Sequence, residues 1–251
     1  MKAQQQLVDT IANNIANTNT TGFKKNLLNF RSMLYKTVRA PGTPTAAQQI
    51  SPTGLQYGSG VEISSSLKVT AQGELEPTQN PLDLAIQGEG YFKIARGDGS
   101  FLYTRDGSFR RDGQGDLVTV DGFRVDPSIT IPQDALDVTV AQDGSVFVSL
   151  PGQAQPSIIG QLLVSRFTNP AGLNAEGSNM YTETVSSGPP TDQVPGQSGS
   201  GFVRQSFLER SNVAAVDELI ALIQAQRNYE VNSRTIRVSD EMMQEVGNLV
   251  R

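Results

Sequence analysis

The chain has 251 residues, 37% of them hydrophobic, with a formal net charge of -5 and a sequence pI near 4.9. It is long and apolar enough for one or two globular cores, and too acidic, with no block of Lys and Arg, for a nucleic-acid surface. Cysteine, histidine and tryptophan are absent, which removes disulfides, thiolate and imidazole metal sites and every reaction that needs a Cys nucleophile or a His base.

The first ten residues, MKAQQQLVDT, carry no apolar core of signal-peptide length, and no stretch reaches the ~20 apolar residues of a membrane span. Membrane insertion is therefore not expected, and a home outside the cytoplasm would need an export route without a Sec-type signal. Leu7, Ile11 and Ile15 recur every four residues, so a helix with one apolar stripe is expected from about residue 3 to 18. Its other face is built from amides, among them Asn13 and Asn17, where a helix facing water usually carries Lys and Glu. Asparagine costs a few tenths of a kcal/mol of helix propensity, and one hydrogen bond of ~1 kcal/mol can exceed that. Asn14 and Asn17 are accordingly expected to make amide contacts across a crowded helix-helix interface in a polymer, at the contact between subunits.

TNTTGFKK ends this helix, with Gly22 suited to a left-handed turn and Phe23 as a returning apolar contact. NLLNFRSMLYKTV follows, and Leu27 or Leu28, Phe30, Leu34 and Val38 predict a second, shorter helix. From Arg39 to Gly60 prolines and glycines replace charge, which reads either as a flexible linker or as a docked extension.

Between Val61 and Glu209 the pattern is β. VEISSSLKV alternates, LDLAI and GYFKIA are short strands, and hairpins are expected at Asp106-Gly107 and at Asp143-Gly144; IIGQLLVSRF reads as one longer strand. After a loop from Ser186 to Gly201, FVRQSFLE returns to β, and the final 39 residues revert to helix, capped by Ser211 or Asn212, with Asp217 and Glu218 at the positive end of its dipole. Leu222, Tyr229, Ile236, Met243 and Val250 recur every seven residues, followed three positions on by Ala225, Asn232, Ser239 and Val246, a heptad-like seam.

The expected fold is α+β: N- and C-terminal helices paired like a coiled coil, with an inserted all-β domain, a sandwich or partly open barrel, and an extended Pro/Gly-rich segment. Residues 1–36 and 211–251 are expected to form one discontinuous helical domain, 37–66 the extended segment and 67–210 the β domain. Leu219, Ile220, Leu222 and Ile223 span more circumference than one short partner helix covers, so other copies of the chain are the expected cover.

Motifs that suggest other chemistry are weak. Asp112 to Asp116, DGQGD, lacks the Asp-Gly pair of a calcium loop at the fifth and sixth places and has Phe123 where the frame requires Glu, so a turn is expected. Gly88 to Gly90, and Gly196, Gly199 and Gly201, are followed by no Lys-Ser/Thr of a phosphate loop. The acid pairs Asp217-Glu218 and Asp240-Glu241 lie on a helix face, and Tyr229 belongs to the packing series. No catalytic residue, metal or cofactor is expected.

NNIANTNTTGFK and LERSNVAAVDELIALIQAQRNYEVNSRTI resemble the N- and C-terminal signatures of the bacterial flagellar rod and hook family, in the expected order. NPLDLAIQGEGYFKI and YTRDGSFRRDGQGDLVT resemble the β-domain blocks of the same family, so the match covers nearly the whole chain. LYKTVRAPG to SPTGLQYGSGV, PSITIPQDAL and the total length are most like the distal rod members, with proximal rod and hook members the nearer alternatives. Members of the family have more helix ahead of the Gln-rich stretch than this chain carries.

The resemblance implies a self-assembling helical tube, a drive shaft carrying motor torque to the hook, with the terminal helices inside and the β domain outside. It places Leu7, Ile11, Ile15, Leu222, Tyr229, Ile236 and Met243 in the helical core. It makes the segment holding Arg39, Pro41, Pro44, Pro52, Leu55 and Tyr57 a docked, stiffening extension. The implied partners are further copies of the chain, proximal rod subunits below, hook subunits above, the P and L ring proteins as a bushing, and the rod cap during assembly. The implied location is the basal body, from the periplasm towards the outer membrane, reached through the flagellar type III apparatus. A monomeric β-domain surface binder with helical tails is the reading from a different class, and an enzyme the least favoured.

Overall fold

The computed structural model describes every residue except Thr43, Ala47, Gln48, Ser51, Ala154, Ser198, Val250 and Arg251. Val250, the last of the seven-residue series, and the side chain of Pro44 therefore lie outside the described residues. Among the described residues there are two α-helices and many β-strands, an α+β architecture, and the chain divides into two units. One comprises residues 1–14, 26–67 and 216–251, the other residues 15–25 and 68–215.

The first unit holds helix α1 (Lys2–Ala16), a β ribbon and helix α2 (Ala215–Leu249). The alternating stripe of α1 buries Ile11 and, three residues on, Asn14. The expected helix over residues 26–38 is instead two strands, Asn26–Ser32 and Tyr35–Arg39. The former pairs with Val61–Lys68. The latter runs antiparallel to Leu55–Gly58, in the register Tyr35↔Gly58, Lys36↔Tyr57 and Arg39↔Leu55. Leu27, Phe30, Leu34 and Val38 fit a helical repeat only loosely, and the run also carries Tyr, Thr and Val, which favour a pleated surface once a partner strand is available. Between the paired strands, Met33 N donates to Gly60 O at 2.9 Å, and Ser59 Oγ to Leu34 O at 2.8 Å, which carries the ribbon through its central break.

Helix α2 runs 35 residues without a break, about 52 Å at 1.5 Å per residue. Asp217 and Glu218 occupy its first turn, where carboxylates favour the dipole. Neither expected cap performs that role. Asn212 accepts a hydrogen bond from Lys25 N and donates to Val69 O and Ala71 O, so its amide ties three chain segments together ahead of the helix.

In the second unit Tyr91–Ala95 is the hub of a nine-stranded sheet, flanked by Phe101–Thr104, Arg124–Val125 and Val164–Arg166. A separate three-stranded sheet holds the expected hairpin, with Val138 opposite Val148 and Val140 opposite Val146 and Gly144 at φ +79° in its turn. The hairpin expected at Asp106-Gly107 does not form, because Phe101–Thr104 pairs with Tyr91–Ala95 and Met180–Thr182, and Arg110–Arg111 pairs with Leu117–Val118. Gly107 passes beside Leu84 instead. Its carbonyl accepts from Leu84 N at 3.0 Å, and a Cβ at Gly107 would lie 1.6 Å from Leu84 O.

IIGQLLVSRF is likewise two strands in two sheets, Ser157–Gln161 and Val164–Arg166, joined through the fully buried Leu162. A core of Leu84, Ile86, Phe92, Ile94, Leu102, Phe109, Leu162, Val164 and Val203 fills this unit. Phe92 and Phe109 pack edge to face at 5.1 Å, a favoured aromatic geometry.

Candidate assembly surfaces

The second unit is fastened by a buried ion cluster. Lys24 and Arg105 both donate to the Glu209 carboxylate, Arg105 through Nη1 at 3.1 Å. Lys24 Nζ also donates to Ala71 O at 2.8 Å, and Gly73 N donates to Glu209 Oε1 at 2.9 Å. The Glu209 side chain has 0% exposure. Burial pushes the Lys24 ammonium below its ordinary value, and the carboxylate of Glu209 opposes that shift. Such a cluster holds only while complete, since a buried charge without its partner is costly.

Gly22 sets the path of the chain into this cluster. It sits at φ +67°, its N donates to Glu209 O at 2.8 Å, and a Cβ there would lie 2.6 Å from Asp106 N. Only glycine meets both demands. The left-handed turn expected at Gly22 is therefore present, and it brings the chain up against the strand carrying Glu209.

In the first unit Asn14 is spent within the chain. Its Oδ1 accepts from Asn26 N at 3.0 Å, while its Nδ2 donates to Asn26 O at 3.0 Å and to Glu218 Oε2 at 3.2 Å. One side chain thus copies a strand partner for the start of the ribbon and reaches the first turn of α2. Asn17 Oδ1 accepts from Thr20 Oγ1 at 3.1 Å. Leu7, Ile15, Asn17 and Leu222 are half-buried. Gln5 and Val8 of α1, with Gln226, Tyr229 and Glu230 of α2, line a cleft of about 260 Å³.

Beyond Ala225 every described side chain of α2 is exposed or half-buried. Tyr229, Ile236 and Met243 of the heptad seam lie open, with Met243 74% exposed, and Val231, Val238, Met242 and Val246 are open as well. The ribbon also presents apolar groups, including Leu34, Tyr35, Val38, Leu55 and Tyr57, and Arg39, Pro41 and Pro52 are exposed beside them. Exposed apolar residues in this number mark an interaction site, and at ~25 cal/mol per Å² their burial would favour association. Among the described residues there is no cluster of acidic side chains that could hold a metal, and no helix is long and apolar enough to cross a membrane.

Comparisons with known proteins place the chain in a family. Residues 1–24 match the flagella basal body rod protein family, residues 85–148 the flagellar hook protein FlgE/F/G D1 domain, and residues 204–249 the flagellar basal body rod FlgEFG protein C-terminal family. The chain is 46% identical to the flagellar basal-body rod protein FlgG of Caulobacter vibrioides, over 99% of this chain and 95% of that protein. It is 43% identical to FlgG of Borreliella burgdorferi, over 100% of this chain and 96% of that protein, and 40% identical to FlgG of Bacillus subtilis, over 100% and 96%. The chain belongs to the flagellar basal-body rod and hook family. Its place in that family is with the structural proteins of the distal rod, which assemble with other flagellar components in the basal body and are not enzymes.

The ion cluster was not legible as a site; Asn14 was legible as an amide contact, but its partners Asn26 and Glu218 of the same chain were not. Lys24, Arg105 and Glu209 each sit inside a signature segment, and a charge kept among glycines and apolar residues is the one available signal. Separations of 185 and 104 residues hid the pairing.

Proposed function

We propose that α1 and α2 pair antiparallel as the wall-forming element of a helical tube, with further copies of the chain covering the seam at Tyr229, Ile236 and Met243. The observation that carries this reading is the long apolar face of α2 left open beyond Ala225. The direction of pairing is supported by Asn14 reaching Glu218 while Gln5 and Val8 lie beside Gln226 to Glu230. Residues 1–36 and 211–251 then act as the core of the tube and residues 67–210 as its outer layer. The ribbon within residues 37–66, with Arg39, Pro41, Pro44, Pro52, Leu55 and Tyr57, lies along neighbouring subunits and stiffens the shaft.

In this reading the tube carries torque across the periplasm towards the outer membrane. Proximal rod subunits lie below it, hook subunits above, P and L ring proteins surround it, and a rod cap guides its growth. Subunits reach it through the flagellar type III apparatus. Electron microscopy of tubes from the whole chain, and from a chain lacking residues 40–57, tests both parts. Straight tubes from the former and bent, hook-like tubes from the latter are expected. A chain that stays monomeric when concentrated overturns the assembly, and deleted tubes of unchanged stiffness overturn the role of the ribbon.

A further inference from the structure

The chain has five methionines and no cysteine, so the methionine thioether is its only sulfur. These residues divide with the two units. Met180 belongs to the second unit and is packed in its apolar core at 6% exposure. Met1, Met33, Met242 and Met243 all belong to the first unit and are exposed, Met242 at 62% and Met243 at 74%. A thioether open to solvent is oxidised readily, and one shut in a core slowly.

Met243 differs from the other exposed methionines in its place. It follows Tyr229 and Ile236 at seven-residue intervals along the unbroken helix α2, with Val246 exposed three residues on. Met242 is one residue off that row, and Met33 sits between two strands of the ribbon. An unbranched thioether suits a seam between helices, because its rotatable bonds let it fill irregular gaps. The same sulfur makes the seam vulnerable. A sulfoxide is polar and chiral where the thioether is apolar, and its oxygen binds water that closing the seam has to remove.

We propose that Met243 is an oxidation site that governs assembly: hydrogen peroxide converts its thioether to the sulfoxide in the unassembled chain, and the sulfoxide blocks closure of the seam. The inference rests on the reading of that seam as the contact between copies. A sulfur lone pair attacks one peroxide oxygen, and the O–O bond breaks as the S–O bond forms. The departing hydroxide takes the proton of the transferred oxygen and leaves as water. Sulfur gives up two electrons and the peroxide accepts two, so no other reactant is needed. Within a tube the sulfur is covered, so oxidation acts on chains before they join and spares those already in place.

The test uses the full chain. Dilute chain is treated with hydrogen peroxide, the peroxide is removed with catalase, and peptide mass spectrometry locates the added oxygen. Met243 should be oxidised well ahead of Met180. The chain concentration at which sedimentable polymer appears should then rise roughly tenfold. Both methionine sulfoxide reductases, one for each epimer, with dithiothreitol as reductant, should return it to its starting value. Met243→Leu, still apolar at an exposed position, should assemble equally before and after peroxide. Met242→Leu and Met33→Leu should lose assembly as the original chain does. Preformed tubes should be oxidised at Met243 several-fold more slowly than dilute chain.

Undiminished assembly of chain oxidised at Met243 overturns the inference and leaves the rod reading standing. So does a loss of assembly in peroxide-treated Met243→Leu equal to that of the original chain. Equal rates at Met243 in tubes and in dilute chain overturn it too, because the sulfur is then uncovered in the tube. An untreated chain that forms no tubes at any concentration overturns the seam reading itself, and the inference with it.

Discussion

The two units treat apolar and charged groups in opposite ways. In the β unit, Phe92, Ile94, Phe109, Leu162 and Val164 have 0% exposure, and even Lys24, Arg105 and Glu209 are taken out of water as a cluster. In the helix-and-ribbon unit only Ile11, Asn14, Glu218 and Ala225 are buried among the described residues. Two of those four are polar and bonded to each other. The β unit contains its own partners for nearly every group it buries, whereas the helix-and-ribbon unit leaves long apolar faces exposed. In the proposed tube the β unit is the self-contained part and the open faces of the helix-and-ribbon unit are those that further copies cover.

The largest effect that would break the contrast is in the ion cluster. Glu209→Ala leaves two buried cations without their carboxylate and should cost about 3–5 kcal/mol of β-unit stability in urea denaturation; a cost below 1 kcal/mol would show that water already reaches the cluster. Alkaline pH should come next. Burial holds the Tyr103 phenol up to about 12 from an ordinary 10.0, and raises Tyr91 and Tyr181 as well. Between those values the unfolded chain has released the Tyr103 proton and the folded chain keeps it, so the unfolded state binds fewer protons and stability falls as pH rises. At ~1.4 kcal/mol per unit, and discounted for screening by solvent at the phenol, the Tyr103 loss is on the order of 1 kcal/mol. Lys24, lowered by burial from 10.5, acts in the opposite direction up to pH 10.5, so the net fall belongs above that pH.

The smallest effect on stability is also the sharpest test of the open face. Ile236→Asp should change monomer unfolding by no more than ~0.5 kcal/mol, as for an exposed position, yet abolish sedimentable polymer. A large loss in the monomer would mean that the chain already covers this face itself.

What could be read from the residues depended on whether the signal was local. The hairpin across Asp143-Gly144 was legible because its valines alternate on both sides of a turn that glycine favours, and its partners are near in sequence. Asp106-Gly107 carries the same dipeptide, but its partner is Leu84, and the close backbone approach that requires glycine there has no local signature. The strands at Asn26–Ser32 and Tyr35–Arg39 were mistaken for helix because the residues that pair with them arrive only at Leu55 and beyond. Asn212 looked like a cap until Val69, Ala71 and Lys25 claimed its amide. Helix α2 was legible over its described length, since an unbroken run without Gly or Pro until Gly247 and a seven-residue repeat need no distant partner to be seen.

The knot of bonds around Glu209 has a mechanical consequence. Three lengths of chain meet there: Gly22 and Lys24 on the way in, Ala71 and Gly73 on the second crossing, and Glu209 with Asn212 on the way out. Tension applied along either end of the chain is received at this knot, where it is shared among several bonds loaded side by side, before it reaches the ladders of the sheets. It works as a cable gland does, gripping the cord at the wall of the housing and lessening the pull on the joints inside.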